Sequence, residues 1–211
     1  MPTTGLAGLF VSSLITFFVV IDPPGCAPIY AGLTAGSSAQ HTRAMAVRAV
    51  LVAAGILVVF ALFGQDILHG LGISLDSFRI AGGIMLFLIA LEMVFEKRTQ
   101  RREDRAQKII DTPEEEDVSI FPMAMPMIAG PGSIASVMLL MSKGHGIERT
   151  LVILAAMGSI LLLTLIALLL AGPLMRIMGQ KIEAVITRLL GVLLAALAAQ
   201  FVIDGIRASL T

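Results

Sequence analysis

Two short stretches place proline and glycine inside apolar runs, where they interrupt a helix. The first is Asp22-Pro-Pro-Gly25 and the second is Gly130-Pro-Gly132. Proline inside a helix costs about 3 kcal/mol or more and pushes the preceding residue out of the helical region. A helix is therefore predicted to stop near Ile21 and to restart after the glycine. The same is predicted at the second stretch, where Ser133 is a candidate cap for the new helix.

Helix ends of this kind can hold small charged groups. Free amides at the start of a helix favour an anion, and free carbonyls at its end favour a cation. Free amides are predicted at Gly25, Cys26, Ala27, Gly132, Ser133 and Ile134. A small zwitterion carries both matching charges, and the small side chains around the breaks leave room for it close to the backbone. The predicted substrate-binding residues are Asp22, Pro24, Gly25, Cys26, Ala27, Ala129, Gly130, Gly132 and Ser133.

Asp22 is an acid deep in an apolar run, and two roles are open for it. An ionisable group inside a membrane is a functional candidate, and desolvation favours its protonated form, which suits coupling to protons. Alternatively, the carboxylate caps the interrupted backbone as a local hydrogen-bond acceptor. Both roles fit the sequence.

The composition is typical of an integral membrane protein. The chain has 211 residues, 57% of them hydrophobic and 14% charged, and its mean hydropathy is +0.93. Soluble domains carry about 25% charged residues. The net charge is zero, which argues against nucleic acid as a partner, and the single cysteine excludes an internal disulfide. The expected surroundings are a lipid bilayer.

Apolar segments near the length of a membrane span, which needs about 20 residues, recur along the chain. They are Leu6–Leu33, Met45–Phe63, Phe78–Phe95, Ile120–Met141, Leu151–Ala171 and Val185–Ile206. Six spans place successive loops on alternating sides, and the two sides carry 11 and 4 Lys or Arg residues. The positive-inside rule then predicts that the richer side is cytoplasmic and that both termini are outside, which in a bacterial inner membrane means periplasmic.

The segments form a repeat. Pro131-Gly132 repeats Pro24-Gly25, and the run that starts at Arg188 repeats the similar run at Arg79 with nearly the same offset along the sequence. The predicted organisation is a first three-helix repeat (1–96), a charged cytoplasmic linker (97–117) and a second three-helix repeat (118–211). Because each half has an odd number of spans, the second half is inverted. Inverted repeats with interrupted helices at matching positions are typical of secondary transporters.

Other charged residues have less specific interpretations. Arg79 and Arg188 begin helices on opposite faces, where they anchor at the interface or else gate or brace the two halves. Glu92 lies near the cytoplasmic end of the third helix and is expected to reach lipid headgroups.

The motifs do not favour an enzyme. The sequence has no His-Glu-x-x-His, Gly-x-Ser-x-Gly or phosphate-binding loop. His41, His69 and His145 lack metal-ligand spacing, so neither a metal nor a cofactor is expected. A channel is harder to exclude, because a cavity between interrupted helices can also conduct.

Four stretches together resemble the MarC/SnatA family of six-span membrane proteins. They are Asp22-Pro-Pro-Gly-Cys-Ala-Pro28, Asp76-Ser-Phe-Arg-Ile-Ala-Gly-Gly83, Ala129-Gly-Pro-Gly-Ser133 and Arg188-Leu-Leu-Gly191. The resemblance implies discontinuous first and fourth helices and proton-driven transport of small neutral amino acids such as glycine, alanine or serine. The family's name also records an association with antibiotic resistance, so export of drugs or other small metabolites is the rival.

The sequence thus predicts an all-α integral membrane protein with six transmembrane helices in two inverted three-helix repeats. Helices 1 and 4 are predicted to be interrupted in mid-membrane. The predicted function is a secondary transporter of small neutral amino acids, without a cofactor, with protons as the coupling ion. Both a monomer and a dimer are compatible with the sequence.

Overall fold

The computed structural model of the chain describes residues 5–95, 117–142 and 146–210, with the side chains of 174–184 excepted. Within these ranges every element is helical, and the order is α1 (Leu6–Ile21), α2 (Pro23–Leu33), α3 (Ala39–Gly70), α4 (Leu75–Val94), α5 (Pro131–Met141), α6 (Ile147–Leu169) and α7 (Ala171–Ser209). An irregular helical segment, Ser119–Ile128, precedes α5 and is called the proline segment below. The predicted linker lies outside the described residues except for Asp117.

Helices long and apolar enough to cross a membrane dominate the described part of the chain. Five stretches qualify: Leu6–Leu33, Ala39–Gly70, Leu75–Val94, Ile147–Leu169 and Val185–Ser209. The proline segment and α5, which meet at a bend of 50°, make a sixth if they count as one span. Leu51, Leu162 and Leu189 are each more than half exposed, as side chains that face lipid would be. The predicted all-helical membrane protein is confirmed at the level of five or six spans.

Local capping sets where α3 and α4 begin. The Ser38 hydroxyl accepts a hydrogen bond from the His41 N–H at 3.3 Å, and the Ser74 hydroxyl accepts one from the Ser77 N–H at 3.1 Å. Both serines are in extended backbone just before a helix, which is the preferred position for this cap. Between α3 and α4, Gly72 has φ +69, a conformation open to a residue without a Cβ. A tight turn therefore joins α3 to α4.

The helices pair in a reciprocal pattern. Helices α1 and α2 pack against α6, whereas the proline segment and α5 pack against α3. The interrupted region in each part of the chain therefore lies against the uninterrupted helix that follows the other interruption. The third helices of the two parts, α4 and α7, form the most extensive pair.

Glycines allow α4 and α7 to approach closely, and they do so in a reciprocal way. A Cβ on Gly83 would lie 2.9 Å from the Ala198 carbonyl oxygen, and a Cβ on Gly191 would lie 3.1 Å from the Ala90 carbonyl oxygen. The offset from Gly83 to Gly191 along the sequence is the same as the offset from Ala90 to Ala198. Each helix thus offers the other the same small-residue surface, as close-packed membrane helices do. We call this contact the glycine seam.

Candidate substrate site at the two helix breaks

The first break is centred on Asp22, whose backbone is left-handed with φ 60 and ψ 64. Helix α1 ends at Ile21 and α2 begins at Pro23. The Asp22 carboxylate accepts a hydrogen bond from the Gly25 N–H at 3.2 Å, and the Asp22 carbonyl accepts one from the Cys26 N–H at 3.0 Å. Proline supplies no N–H at positions 23 and 24. The amides at the start of α2 are therefore either missing or already engaged, up to and including Cys26.

This capping corrects one expectation. The sequence predicted that the amides of Gly25 and Cys26 are free to hold a ligand, and that is wrong for both residues. The physical reason is local. Asp22 is three residues before Gly25, the spacing at which a side chain at the helix start reaches an amide of the first turn.

The second break is built differently. Proline at positions 122 and 126 follows Phe121 and Met125, whose backbone is extended, with ψ 126 and 125. Residues before proline are biased to this region, so the proline segment cannot form a regular helix. Helix α5 then starts with Pro131 in its first turn and without any side-chain cap on its amides. The first amide to bond within the helix belongs to Ile134, which donates to the Gly130 carbonyl at 3.0 Å, so the prediction of a free amide at Ile134 is wrong.

The amides of Gly132 and Ser133 therefore precede the intrahelical ladder and lie at the positive end of the α5 dipole. Ser133 was a candidate cap, but it is not one. Its hydroxyl instead donates to the Ile128 carbonyl at 2.7 Å, on the other side of the break. Gly130 is held tightly, since an added Cβ would lie 2.3 Å from the Pro126 carbonyl oxygen.

One hydrogen bond recurs at both breaks. The Cys26 thiol donates to the Ile21 carbonyl at 3.4 Å, just as the Ser133 hydroxyl donates to the Ile128 carbonyl. In each case the acceptor is five residues before the donor. Donor and acceptor both recur at the offset that relates Pro24-Gly25 to Pro131-Gly132. Each bond satisfies the last carbonyl before an interruption, and we call these two contacts the back-bonds.

A cleft of about 860 Å³ opens beside the second break. Its walls come from the end of α1, from one face of α4, from the proline segment and from the start of α5. The lining residues are Val20, Met85, Leu88, Ile89, Glu92, Ile120, Phe121, Met125, Pro126, Met127, Gly130, Pro131, Gly132 and Ser133. Most of these side chains are apolar. The polar side chains among them belong to Ser133 and Glu92.

The cleft brings together three of the predicted substrate-binding residues, Gly130, Gly132 and Ser133. The other six do not line it: Asp22, Pro24, Gly25, Cys26, Ala27 and Ala129. All of these except Pro24 are buried, and Cys26 and Ala27 are completely so. The nearest part of the first break that reaches the cleft is Val20, which also lies 3.1 Å from the position of a Cβ on Gly132.

The two arginines occupy different surroundings. The Arg79 guanidinium donates to the Ser142 carbonyl at 2.8 Å and to the Ser142 hydroxyl at 3.3 Å, and it pairs with Asp76 at 3.1 Å. It thus ties the start of α4 to the C-terminal end of α5, where a cation matches the helix dipole. Arg188 lies on an exposed part of α7. Among the described residues no group of three His, Cys, Asp or Glu side chains is placed to hold a metal ion.

The sequence matches the profile of the MarC family, described as MarC family integral membrane protein, over residues 7–210. The chain belongs to the MarC family. A MarC relative from Methanocaldococcus jannaschii, a UPF0056 membrane protein, is 38% identical over 205 residues, which cover 95% of this chain and 97% of the relative.

Two Escherichia coli K12 proteins of this family are similar at nearly full length. The UPF0056 membrane protein YhcE is 32% identical over 94% of this chain and 92% of its own length. The UPF0056 inner membrane protein YhgN is 31% identical over 93% and 95%. These names describe membrane proteins and specify neither a substrate nor a reaction. No solved structure matches the chain.

In this MarC chain, Glu92 lines the cleft with Met85, Leu88 and Ile89, which the sequence did not predict. The expectation that its side chain reaches lipid headgroups stays a prediction. One signal was present. Residues 85, 88, 89 and 92 follow the helical spacing i, i+3, i+4 and i+7, so they share one face of α4. Only the packing of α4 against α5 identifies that face as a cleft wall.

Proposed function

We propose that this MarC protein is a secondary transporter of small neutral amino acids of the glycine, alanine and serine type, driven by protons. The substrate is held at the interrupted helices, with its carboxylate on the amides of Gly132 and Ser133. The observation that carries the proposal is the opening of this uncapped helix start into a cleft of about 860 Å³. Amides at a helix start bind carboxylates, and irregular backbone inside a membrane is tolerated where it lines a cavity.

The pairing of equivalent features supports a repeat with inverted halves. The members of the two back-bonds and of the glycine seam recur at nearly the same offset along the sequence, and each interruption packs against the other half. Transporters built in this way place the substrate near the middle of the membrane and expose it to each side in turn. The proposed repeats are residues 1–96 and 118–211, and the proposed location is a bacterial inner membrane with both termini outside.

The roles of the remaining predicted residues follow from the same scheme. The first break, from Asp22 to Ala27, and Ala129 form the part of the site that faces the opposite side of the membrane. Asp22 is the proposed proton carrier as well as the cap of Gly25. Arg79 braces the halves through Ser142, and Arg188 is proposed to do the corresponding work in the second half.

The test is uptake by the purified protein in liposomes. Labelled glycine and alanine are offered with and without an inward proton gradient, and empty liposomes give the background. The expected result is saturable uptake that the gradient increases several-fold. Flux that does not saturate would identify a channel instead.

Asp22→Asn tests the coupling separately, because the amide oxygen of asparagine can still accept from the Gly25 N–H. The expected variant folds and takes up glycine, but the proton gradient no longer stimulates it. Stimulation as large as in the unmodified protein would remove Asp22 from the coupling mechanism.

The apolar lining favours a second candidate, an exporter of drugs or of other small metabolites. Pockets for drug-sized ligands have volumes of about 300–1,000 Å³ and mainly hydrophobic walls. The same liposomes distinguish the two candidates. Absence of uptake across a panel of small amino acids, with gradient-driven movement of an apolar cation in its place, would establish the exporter.

A further inference from the structure

We propose that α5 is a gate that closes the cleft on the side away from the predicted linker, and that Gln65 and Arg79 form the latch of this gate. The structure is then the conformation in which the site is open toward the linker. This inference rests on the proposed function, because it assigns how access to the same site is controlled. The direction of the cleft, the burial of α5 and the polar contacts at the C-terminal end of α5 carry the inference.

The cleft extends from the second break toward the predicted linker. One wall runs along α4 from Met85 to Glu92, close to the C-terminal end of that helix. The facing wall includes Ile120, at the start of the proline segment. Both walls therefore end within a few residues of the linker. The start of α5 lies at the other end of the cleft, where the position of a Cβ on Gly132 is 3.1 Å from Val20.

Beyond the cleft, α5 is enclosed by other helices. Residues 135–142 are all buried, and α1, α3, α4 and α6 pack against α5. Two glycines let the neighbouring helices approach it. A Cβ on Gly64 of α3 would lie 2.8 Å from the Met138 Cγ atom, and a Cβ on Gly82 of α4 would lie 3.1 Å from the Leu139 Cδ1 atom. Helix α5 therefore separates the cleft from the end of the bundle at which α3 turns into α4.

Polar side chains of two neighbouring helices hold the C-terminal end of α5. The Gln65 side-chain amide of α3 donates to the Met141 carbonyl at 3.3 Å. The Arg79 guanidinium of α4 donates to the Ser142 carbonyl at 2.8 Å, and its pair with Asp76 at 3.1 Å orients it. The last carbonyls of a helix have no partner within the helix, and water can satisfy them equally well. The end of α5 can therefore leave α3 and α4 without a lasting loss of hydrogen bonds.

Ser136 is a polar residue on the buried part of α5. Its side chain is completely buried, and its hydroxyl has no hydrogen-bond partner among the described residues. A buried hydroxyl without a partner is destabilising, whereas an apolar group of the same shape is not. The cost is removed when α5 moves away from its neighbours and the hydroxyl meets water. Ser136 therefore suits a helix that is exposed in one conformation and buried in the other.

The experiment measures how fast a maleimide labels Ser136→Cys in the purified protein in detergent. The variant also carries Cys26→Ala, so that the chain has one thiol. Arg79→Ala removes the main contact of the latch and is expected to raise the labelling rate at least fivefold. Arg149→Ala removes an arginine in the first turn of α6, just after the end of α5 in the sequence, and should leave the rate within twofold. Arg79→Lys keeps a charged donor and should give an intermediate rate.

Cys26 shows whether the opening is confined to the gate. In Arg79→Ala without the other two changes, Cys26 is the target, and its labelling rate is expected to stay within twofold of the rate in the unmodified protein. Acceleration at Cys26 as large as at Ser136→Cys would mean general loosening and would overturn the inference. An unchanged rate at Ser136→Cys in Arg79→Ala would also overturn it.

Two further results keep the test decisive. If Arg79→Ala does not fold, as judged by gel filtration, Gln65→Leu takes its place. A rate at Ser136→Cys raised at least twofold then supports the gate, and an unchanged rate overturns it. The labelling does not depend on transport, so its failure and that of the proposed function are distinguishable. Release of α5 by Arg79→Ala in a protein that takes up no amino acid would support the gate and overturn the proposed substrate alone.

Discussion

The two breaks follow the same plan and have different outcomes. Both combine proline and glycine, and both use a back-bond to satisfy the last carbonyl before the interruption. At the first break the Asp22 carboxylate occupies the Gly25 amide, and the surroundings are buried. At the second break no side chain caps α5, the chain bends by 50°, and the first residues of α5 line a cleft. The Asp22 carboxylate therefore accounts for the difference. It occupies an amide at the start of α2, whereas the amides at the start of α5 have no side-chain acceptor.

The largest expected effect comes from adding a methyl group to each break. Gly130→Ala would place a Cβ 2.3 Å from a backbone oxygen of Pro126, whereas Gly25→Ala would meet the Asp22 carboxylate, also at 2.3 Å. A side chain can rotate away and backbone cannot. We expect Gly130→Ala to lower uptake at least tenfold and to reduce the yield of folded protein. Gly25→Ala should cost about 1 kcal/mol, the usual value of a helix cap.

The difference between Gly25 and Gly130 can be tested by removing the Asp22 carboxylate, which is what an added Cβ on Gly25 would meet. Asp22→Gly fits the left-handed backbone of that position, so the double variant Asp22→Gly/Gly25→Ala should be no less stable than Asp22→Gly alone. Gly158→Ala, in open space on α6, is the control for an added methyl group. Thermal unfolding in detergent gives the stabilities. Equal losses of thermal stability in Gly25→Ala and Gly130→Ala would contradict the distinction between the breaks.

An added methyl group in the glycine seam should lower stability by a similar amount in both halves, in contrast to the two breaks. Gly83→Ala and Gly191→Ala each push a methyl group against the backbone of the facing helix. Overpacking of this kind costs about 1–3 kcal/mol. We expect similar losses of stability in the two variants, measured by unfolding in detergent, and none in Gly55→Ala, where the added atom meets open space. A large loss in only one of them would mean that the seam is not reciprocal.

The smallest expected effect concerns the back-bonds. Ser133→Ala removes a buried hydroxyl donor and should cost about 0.5–1.5 kcal/mol. Cys26→Ala should cost less, because a thiol is a weak donor. Exchanging the donors by Cys26→Ser and Ser133→Cys should strengthen the first bond and weaken the second. Equal and opposite shifts in the unfolding temperature would support the equivalence, and shifts of the same sign would argue against it.

What the sequence could predict was local. The end of α1 at Ile21 follows from the prolines after it, since the proline rule acts on neighbours in the chain. The presence of long apolar helices follows from composition. Long-range packing decided the rest. Glu92 became a cleft residue because α4 packs against α5, and the hydroxyl of Ser133 turned to Ile128 because the bend brings that carbonyl within reach.

The first break also illustrates where local reasoning was incomplete. The sequence supplied two roles for Asp22, and the capping geometry is present in the structure. That cap also occupies the Gly25 amide, which the sequence had predicted to be a free ligand donor. Counting amides at a helix start requires counting their local acceptors as well.

Cys26 gives the first break a reporter of its own. It is the chain's only cysteine, it is completely buried, and its sulfur is engaged with the Ile21 carbonyl. A maleimide added to the unmodified protein therefore has one possible target, and labelling requires that this helix start become exposed. The rate of alkylation thus measures, without any mutation, how often the start of α2 becomes exposed.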